Sequence, residues 1–140
     1  MGSIADISSS GLLAQSQRLT ASASNVANAR SRGALPAADG TTPPDSAQAY
    51  QPIQTAQTAL SQNGQPGGTR TTFTPITPAY IPEYAPDESF ANQSGIVAAP
   101  NVDLASERIN QISAAAAYKA NIAALRTEDE MVKSLLDAKI

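Results

Sequence analysis

All ten prolines of this 140-residue chain lie between Pro36 and Pro100. Proline has no backbone N–H, and its ring collides with the preceding helical turn, so it is expelled from helix interiors. The partition predicts two proline-free helices flanking an irregular or β-rich middle. The expected fold is therefore mainly α with a small β-hairpin region. It divides into an N-terminal helix over residues 1–33, a proline-containing loop and hairpin over 34–100, and a C-terminal helix over 101–140.

The N-terminal helix is expected from about Ile4 to Ala29. Leu12, Leu19 and Val26 recur every seven residues, with Ser16 and Ala23 between them, which is a heptad seam with small alternate positions. Gly11 weakens the helix or lets another backbone approach. Gly33 reads as the terminator, and Arg30 and Arg32 suit the negative end of the helix dipole. The C-terminal helix begins after Pro100 with Asp103 as its N-cap and Glu107 in its early turns. Ile109, Ile112 and Ala116 form one apolar stripe; Tyr118, Ile122, Leu125, Val132 and Leu136 form a second. Asp129 interrupts that second stripe. Thr127 and Glu130 are spaced as a capping box, at which the helix would restart; one continuous helix is the simpler reading.

In the middle, "AYQPIQTAQTAL" and "TRTTFTPIT" are rich in Thr and β-branched residues, with "SQNGQPGG" between them. This predicts a loose hairpin whose strands Pro52 and Pro75 restrict to edge positions. "AADGTTPPDSAQ" before it reads as a loop.

Composition limits the chemistry. Hydrophobic residues make up 41% of the chain, but much of that is alanine, with two Phe, four Tyr and no Trp. A thick core is not expected, and single thin helices are marginal in water, so the chain needs copies or relatives of itself to cover its stripes. The net charge of −3, with 15% charged residues, argues against a nucleic-acid partner. Cysteine and histidine are absent, which removes thiolate chemistry, the usual metal ligands and the commonest general base. No catalytic residue, cofactor, metal or small-molecule substrate is expected, and no stretch reaches membrane-spanning length. Glu128, Asp129 and Glu130 point in different directions on a helix and read as a solvated face. Glu83, Asp87 and Glu88 are the nearest approach to an acid/base pair, as a small peptidoglycan-cleaving enzyme would require.

"SASNVANARSRG", residues 22–33, places Asn25 and Asn28 among small residues. Small side chains let helices approach closely, and a buried amide fixes register between them. Alternatively, the asparagines merely cap a fraying helix end.

The same stretch resembles the N-terminal signature of flagellar axial proteins, Ser/Ala-Ser-Asn-x-Ala-Asn-x-x-x-x-Gly. "VDLASERINQISAAAAYKANIAALRTEDEM" is similar to their C-terminal signature, which includes Tyr118 and Asn121. "YAPDESFANQSGIVAAPNVDL" resembles the stretch that marks a proximal-rod member of that family: Tyr-x-Pro, Gly-x-Val, then Pro-Asn-Val-Asp. Another axial subunit is the nearest alternative. The resemblance implies a structural rod subunit in the basal body, exported through the flagellar type III apparatus without a cleaved signal and polymerising helically in the periplasm. It also implies that the terminal helices form a coiled-coil inner domain. Subunit packing then falls to Leu12, Leu19, Ala23, Asn25, Val26 and Asn28 on the first helix. On the second it falls to Ile109, Ile112, Tyr118, Asn121, Ile122, Leu125, Val132 and Leu136.

Overall fold

A computed structural model describes residues 4–37, 41 and 46–138 of the chain. The element order is helix α1 (Ile4–Ala27), strands β1 (Ile53–Gln62), β2 (Gln65–Pro75), β3 (Tyr80–Tyr84) and β4 (Ile96–Pro100), and helix α2 (Leu104–Asp137). The proline-free ends are helical and the proline window is not. Most of the "AADGTTPPDSAQ" loop (38–40 and 42–45) lies outside the described residues, as do the two ends of the chain. α2 runs unbroken through Thr127, whose hydroxyl donates to the Ala123 carbonyl at 3.0 Å instead of capping a restarted helix.

The chain divides into two compact units. One takes α1 up to Thr20, residues 55–73 and α2 from Ile109; the other takes Ala21–Gln54 and Thr74–Arg108. The first unit carries most of the β1–β2 hairpin. Its turn is only Asn63-Gly64, both at positive φ (51° and 75°), the geometry that twists correctly into a two-residue hairpin. The strands therefore extend into the stretch expected to be loop, and Gly67 and Gly68 belong to β2. The second of these glycines has a specific task. It has φ of 95°, and a Cβ there would run into Ser10 of α1. Ser10 Oγ donates to the Ile7 carbonyl at 2.6 Å and accepts from Thr69 N–H at 3.0 Å, which fastens the hairpin to α1. In the same unit the Asn121 side chain of α2 lies directly over Gly11 of α1, where a Cβ would meet its Oδ1 at 2.6 Å. Gly11 thus makes room for a side chain of the partner helix, not for its backbone.

The second unit contains an antiparallel pair within the stretch expected as proline-containing loop: β3 and β4, in register from Tyr80↔Pro100 to Tyr84↔Ile96. Val97, Ala98 and Ala99 are buried. Ala98 exchanges both main-chain hydrogen bonds with Gly33 on its other side, at 2.9 and 3.0 Å. Opposite Ala98, Pro82 therefore owes no N–H to the ladder, which is why a proline is tolerated there. Gly33 is not the helix terminator. α1 ends at Ala27, and the Asn28 amide donates to the Ser24 carbonyl at 2.9 Å as a local cap. Gly33 is required because a Cβ would collide with the main chain of Ala47–Ala49. Nor does Arg32 serve the helix dipole: it lies beyond the helix and grips Glu83 of β3 with two N–H groups, at 2.6 and 3.0 Å.

The buried face of α1 also differs from the expected leucine seam. Ser8, Ala14, Gln15, Ala21, Ser22 and Asn25 are buried, whereas Leu12 and Leu19 are half-buried and Ala23 and Val26 exposed. The inward seam is made of small and polar residues repeating at Ser8, Gln15 and Ser22. Leucine would hold neighbouring segments farther apart than these contacts allow.

Gly33→Ala is expected to destabilise the protein by about 1–3 kcal/mol, because the added methyl meets rigid main chain and not a movable side chain. Urea unfolding of the purified protein checks this; an unchanged midpoint would show that the Ala47–Ala49 segment can move aside.

Candidate functional site

The end of α1, the segment entering β1 and the first turns of α2 meet at one side chain. Asn25 is 1% exposed. Its Nδ2 donates to the Ile53 carbonyl at 2.7 Å and to Glu107 Oε1 at 2.6 Å. Its Oδ1 accepts from Ile53 N–H and from the Tyr50 hydroxyl, both at 3.0 Å. A primary amide has two donors and two acceptor lone pairs, so every valence is filled. The orientation is set by the partners: reversing the amide would aim its oxygen at the Ile53 carbonyl and the Glu107 carboxylate. With Tyr50's proton committed to Asn25, Ser24 Oγ donates to the Tyr50 hydroxyl at 2.9 Å. Ser22 Oγ donates to the main-chain carbonyl of Glu107 at 3.2 Å.

Glu107 is buried, with its carboxylate facing Asn25. The sequence reading placed it in the early turns but did not foresee this partner. The available signal was the small-polar heptad of Ser8, Gln15, Ser22 and its companion Asn25. α2 is held at the same end by its cap. Asp103 Oδ1 accepts from Ala105 N–H at 2.9 Å and Ser106 N–H at 3.4 Å, and Oδ2 accepts from Ser106 Oγ at 2.8 Å. The Ser106 hydroxyl first, then these two main-chain N–H groups, favour the carboxylate and hold the Asp103 pKa below its ordinary value. Asn101 pins the residues before the cap, bonding main chain and side chain to the carbonyls of Ala79 and Pro78 at 3.0 and 2.9 Å.

The stretch from Tyr84 to Leu104 closes on itself in the same unit. A Cβ at Gly95, whose φ is 71°, would press on the Tyr84 ring at 2.9 Å and on Pro86 at 3.0 Å, and Val97 is fully buried two residues on. Tyr-x-Pro and Gly-x-Val are thus two halves of one β3–β4 connection.

The other expected packing residues are placed differently. Asn121 donates to the Ala117 carbonyl at 3.0 Å within α2, and Ile122 and Leu125 are half-buried. Ile109, Ile112, Tyr118, Val132 and Leu136 are exposed, as are Met131 and Leu135 beside them. Asn25, expected to set register between subunits, has its amide fully engaged inside its own chain, and Asn28 caps its own helix. Among the described residues no group of His, Cys, Asp and Glu could hold a metal. Glu83 and Glu88 flank Arg32 at 2.6 and 3.7 Å, an ion-pair arrangement and not a catalytic dyad.

Residues 93–138 match the family described as flagellar basal body rod FlgEFG protein C-terminal. The chain is 39% identical over 137 residues to the flagellar basal-body rod protein FlgC of Yersinia enterocolitica. It is 35% identical over 138 residues to the proteins of that name from Escherichia coli O157:H7 and Salmonella typhimurium strain LT2. Each alignment covers 95% of this chain and 93% of the relative. The class is that of flagellar basal-body rod proteins, which are structural and not enzymatic. Within it, this chain belongs to the FlgC family.

Asn25→Ala strips four partners of their hydrogen bond at a buried point, each worth about 1–3 kcal/mol when left unpaired. Loss of several kcal/mol is expected in chemical unfolding, against about 1 kcal/mol or less for Asn28→Ala at a half-exposed helix end. Equal small effects would show that Asn25 does not hold the junction. The Asp103 contribution to α2 is present above its unfolded pKa of about 3.9 and is lost as pH falls through the lower folded value. The Ala105 and Ser106 amide resonances are expected to titrate with a midpoint below that ordinary value, and to stop doing so in Asp103→Asn.

Proposed function

We propose that this chain builds the basal-body rod by burying the apolar stripe of α2, and the leucine edge of α1, against further copies of itself and other rod subunits. The observation that carries this is the exposure of α2. The helix is 34 residues long, roughly 50 Å at 1.5 Å per residue. Along it Ile109 is 67%, Ile112 58%, Leu135 71% and Leu136 63% exposed. Exposed apolar residues in two stripes along a helix of that length make an interaction surface. The small-residue seam of α1 faces its own chain, which leaves Leu12, Leu19 and Val26 at its edge for neighbours. Asn25 and Asn28 then serve assembly indirectly: they fix how the helix ends present those edges.

The family reading also supports delivery by the flagellar type III export apparatus, without a cleaved signal, to a rod crossing the periplasm. No helix among the described residues is long and apolar enough to cross a membrane. Coverage of the stripes by neighbours would stabilise α1 and α2 beyond what each helix achieves alone.

Leu136→Asp replaces an exposed side chain and is expected to change the stability of the free subunit by no more than about 0.5 kcal/mol. In the rod it would bury a carboxylate at a cost of several kcal/mol per copy. Cells carrying it are expected to export the protein and fail to swim, with incomplete rods in isolated basal bodies, and Leu19→Asp should do the same. Normal swimming and complete rods in Leu136→Asp cells would remove α2 from the interface.

A further inference from the structure

α1 and the hairpin enclose a half-open cavity of about 230 Å³ within the first unit. Leu13, Ala14 and Leu60 give it apolar walls, and Gln17, Arg70 and Thr71 bring polar groups to it. Arg70 is exposed and has no ion-pair partner among the described residues. The Thr71 hydroxyl oxygen is out of reach of solvent and has no hydrogen bond. A cation beside apolar walls suits a carboxylate carried by an otherwise apolar surface.

α2 carries such a surface. Leu125, Asp129, Val132 and Leu136 follow one another at helical spacing, so a carboxylate is embedded in an apolar stripe. Asp129 is exposed and has no ion-pair partner among the described residues, not even Lys133 four residues on. Resting on the reading that this stripe is buried in the assembly, Asp129 must there meet a cation, because a buried unpaired charge is strongly unfavourable. We infer that the α2 helix of a second copy lies across the mouth of the cavity between α1 and the hairpin, with Asp129 of that copy paired to Arg70. Leu125 and Val132 then lie against Leu13 and Leu60. The contact is heterologous: each copy offers a cavity on one side and a charged stripe on another, so the association propagates instead of closing as a dimer.

The chain has no cysteine, so a pair of introduced thiols reports this one contact. In cells whose only copy is Arg70→Cys/Asp129→Cys, a short bifunctional thiol reagent applied to isolated basal bodies is expected to yield a cross-linked dimer of the chain. Neither single variant should give it. Complete rods that yield no such dimer, an intrachain product only, or an adduct with a different rod protein would each overturn the pairing. Charge reversal decides independently if the thiol variants build no rods. Arg70→Asp and Asp129→Arg are each expected to lower the yield of complete rods by about tenfold or more, as loss of one partner of a buried pair does. The doubly reversed chain should recover most of that yield, and no recovery with a folded, exported double variant would overturn the inference. The outcome stays separable from the polymerisation reading. If Leu136→Asp blocks assembly while the cross-link is absent, only the Arg70–Asp129 pairing falls; if Leu136→Asp assembles normally, the burial of α2 on which it rests falls too.

Discussion

The Asn25 amide is the point on which the junction of the helix ends depends. It alone bonds directly to both the entry to β1 and the first turns of α2 from the last turns of α1, with Ser22 and Ser24 adding one contact each among the described residues. The chain cannot join them by apolar packing, because it has too few large side chains; among the described residues the buried hydrophobic side chains are alanines and one valine. A saturated amide supplies directional contacts in place of area. Its exchange of two hydrogen bonds with the Ile53 peptide copies the pairing of one strand with another, so α1 ends as though it were part of a sheet. Isolated in a dry junction, these bonds are stronger than in water, and leaving any one unmade is correspondingly costly.

Small residues at the inward positions have a second effect, on what faces outward. Ser8, Gln15, Ser22 and the glycines at 11, 33 and 68 bring segments so close that methyl groups would not fit at the glycines. The leucines and isoleucines are thereby displaced to the edge of α1 and along α2. A monomer built this way keeps little apolar surface for itself and presents the rest to neighbours, which suits a subunit whose stable state is an assembly. Arg32 and Glu83 tie the segment after α1 to β3 across a partly exposed face, and such a pair contributes about 0.2–1 kcal/mol. Its geometry, with two parallel N–H contacts, orients the segment more than it stabilises it.

The ends of the chain were legible from their residues. Proline exclusion bounded both helices, Asp103 declared the start of α2, and "SQNGQPGG" marked the hairpin connection, of which the structure uses only Asn63-Gly64 as the turn. The two signatures identified the family. β3 and β4 were not legible, since "YIPEY" carries a proline and "IVAAP" is too short and too uniform to separate strand from loop. The pairing of Ala98 with Gly33 removes the objection to Pro82, and that pairing joins residues 65 positions apart. Glu107 as the partner of Asn25 was hidden for the same reason.

By itself the sequence determined where the backbone could be helical, that the core would be thin and alanine-rich, and that thiol and imidazole chemistry had no residues to work with. These properties follow from steric and compositional limits that act within a few neighbouring residues. Only the tertiary structure decided which face of α1 turns inward, that Asn25 works within its own chain, and that Gly33 and Arg32 serve β4 and β3 and not the helix end. A heptad of leucines and a heptad of small polar residues run side by side on the same helix, and local periodicity cannot choose between them. The choice is made by distance: the contacts at Gly11, Ser22 and Asn25 require a close approach that leucine side chains would prevent.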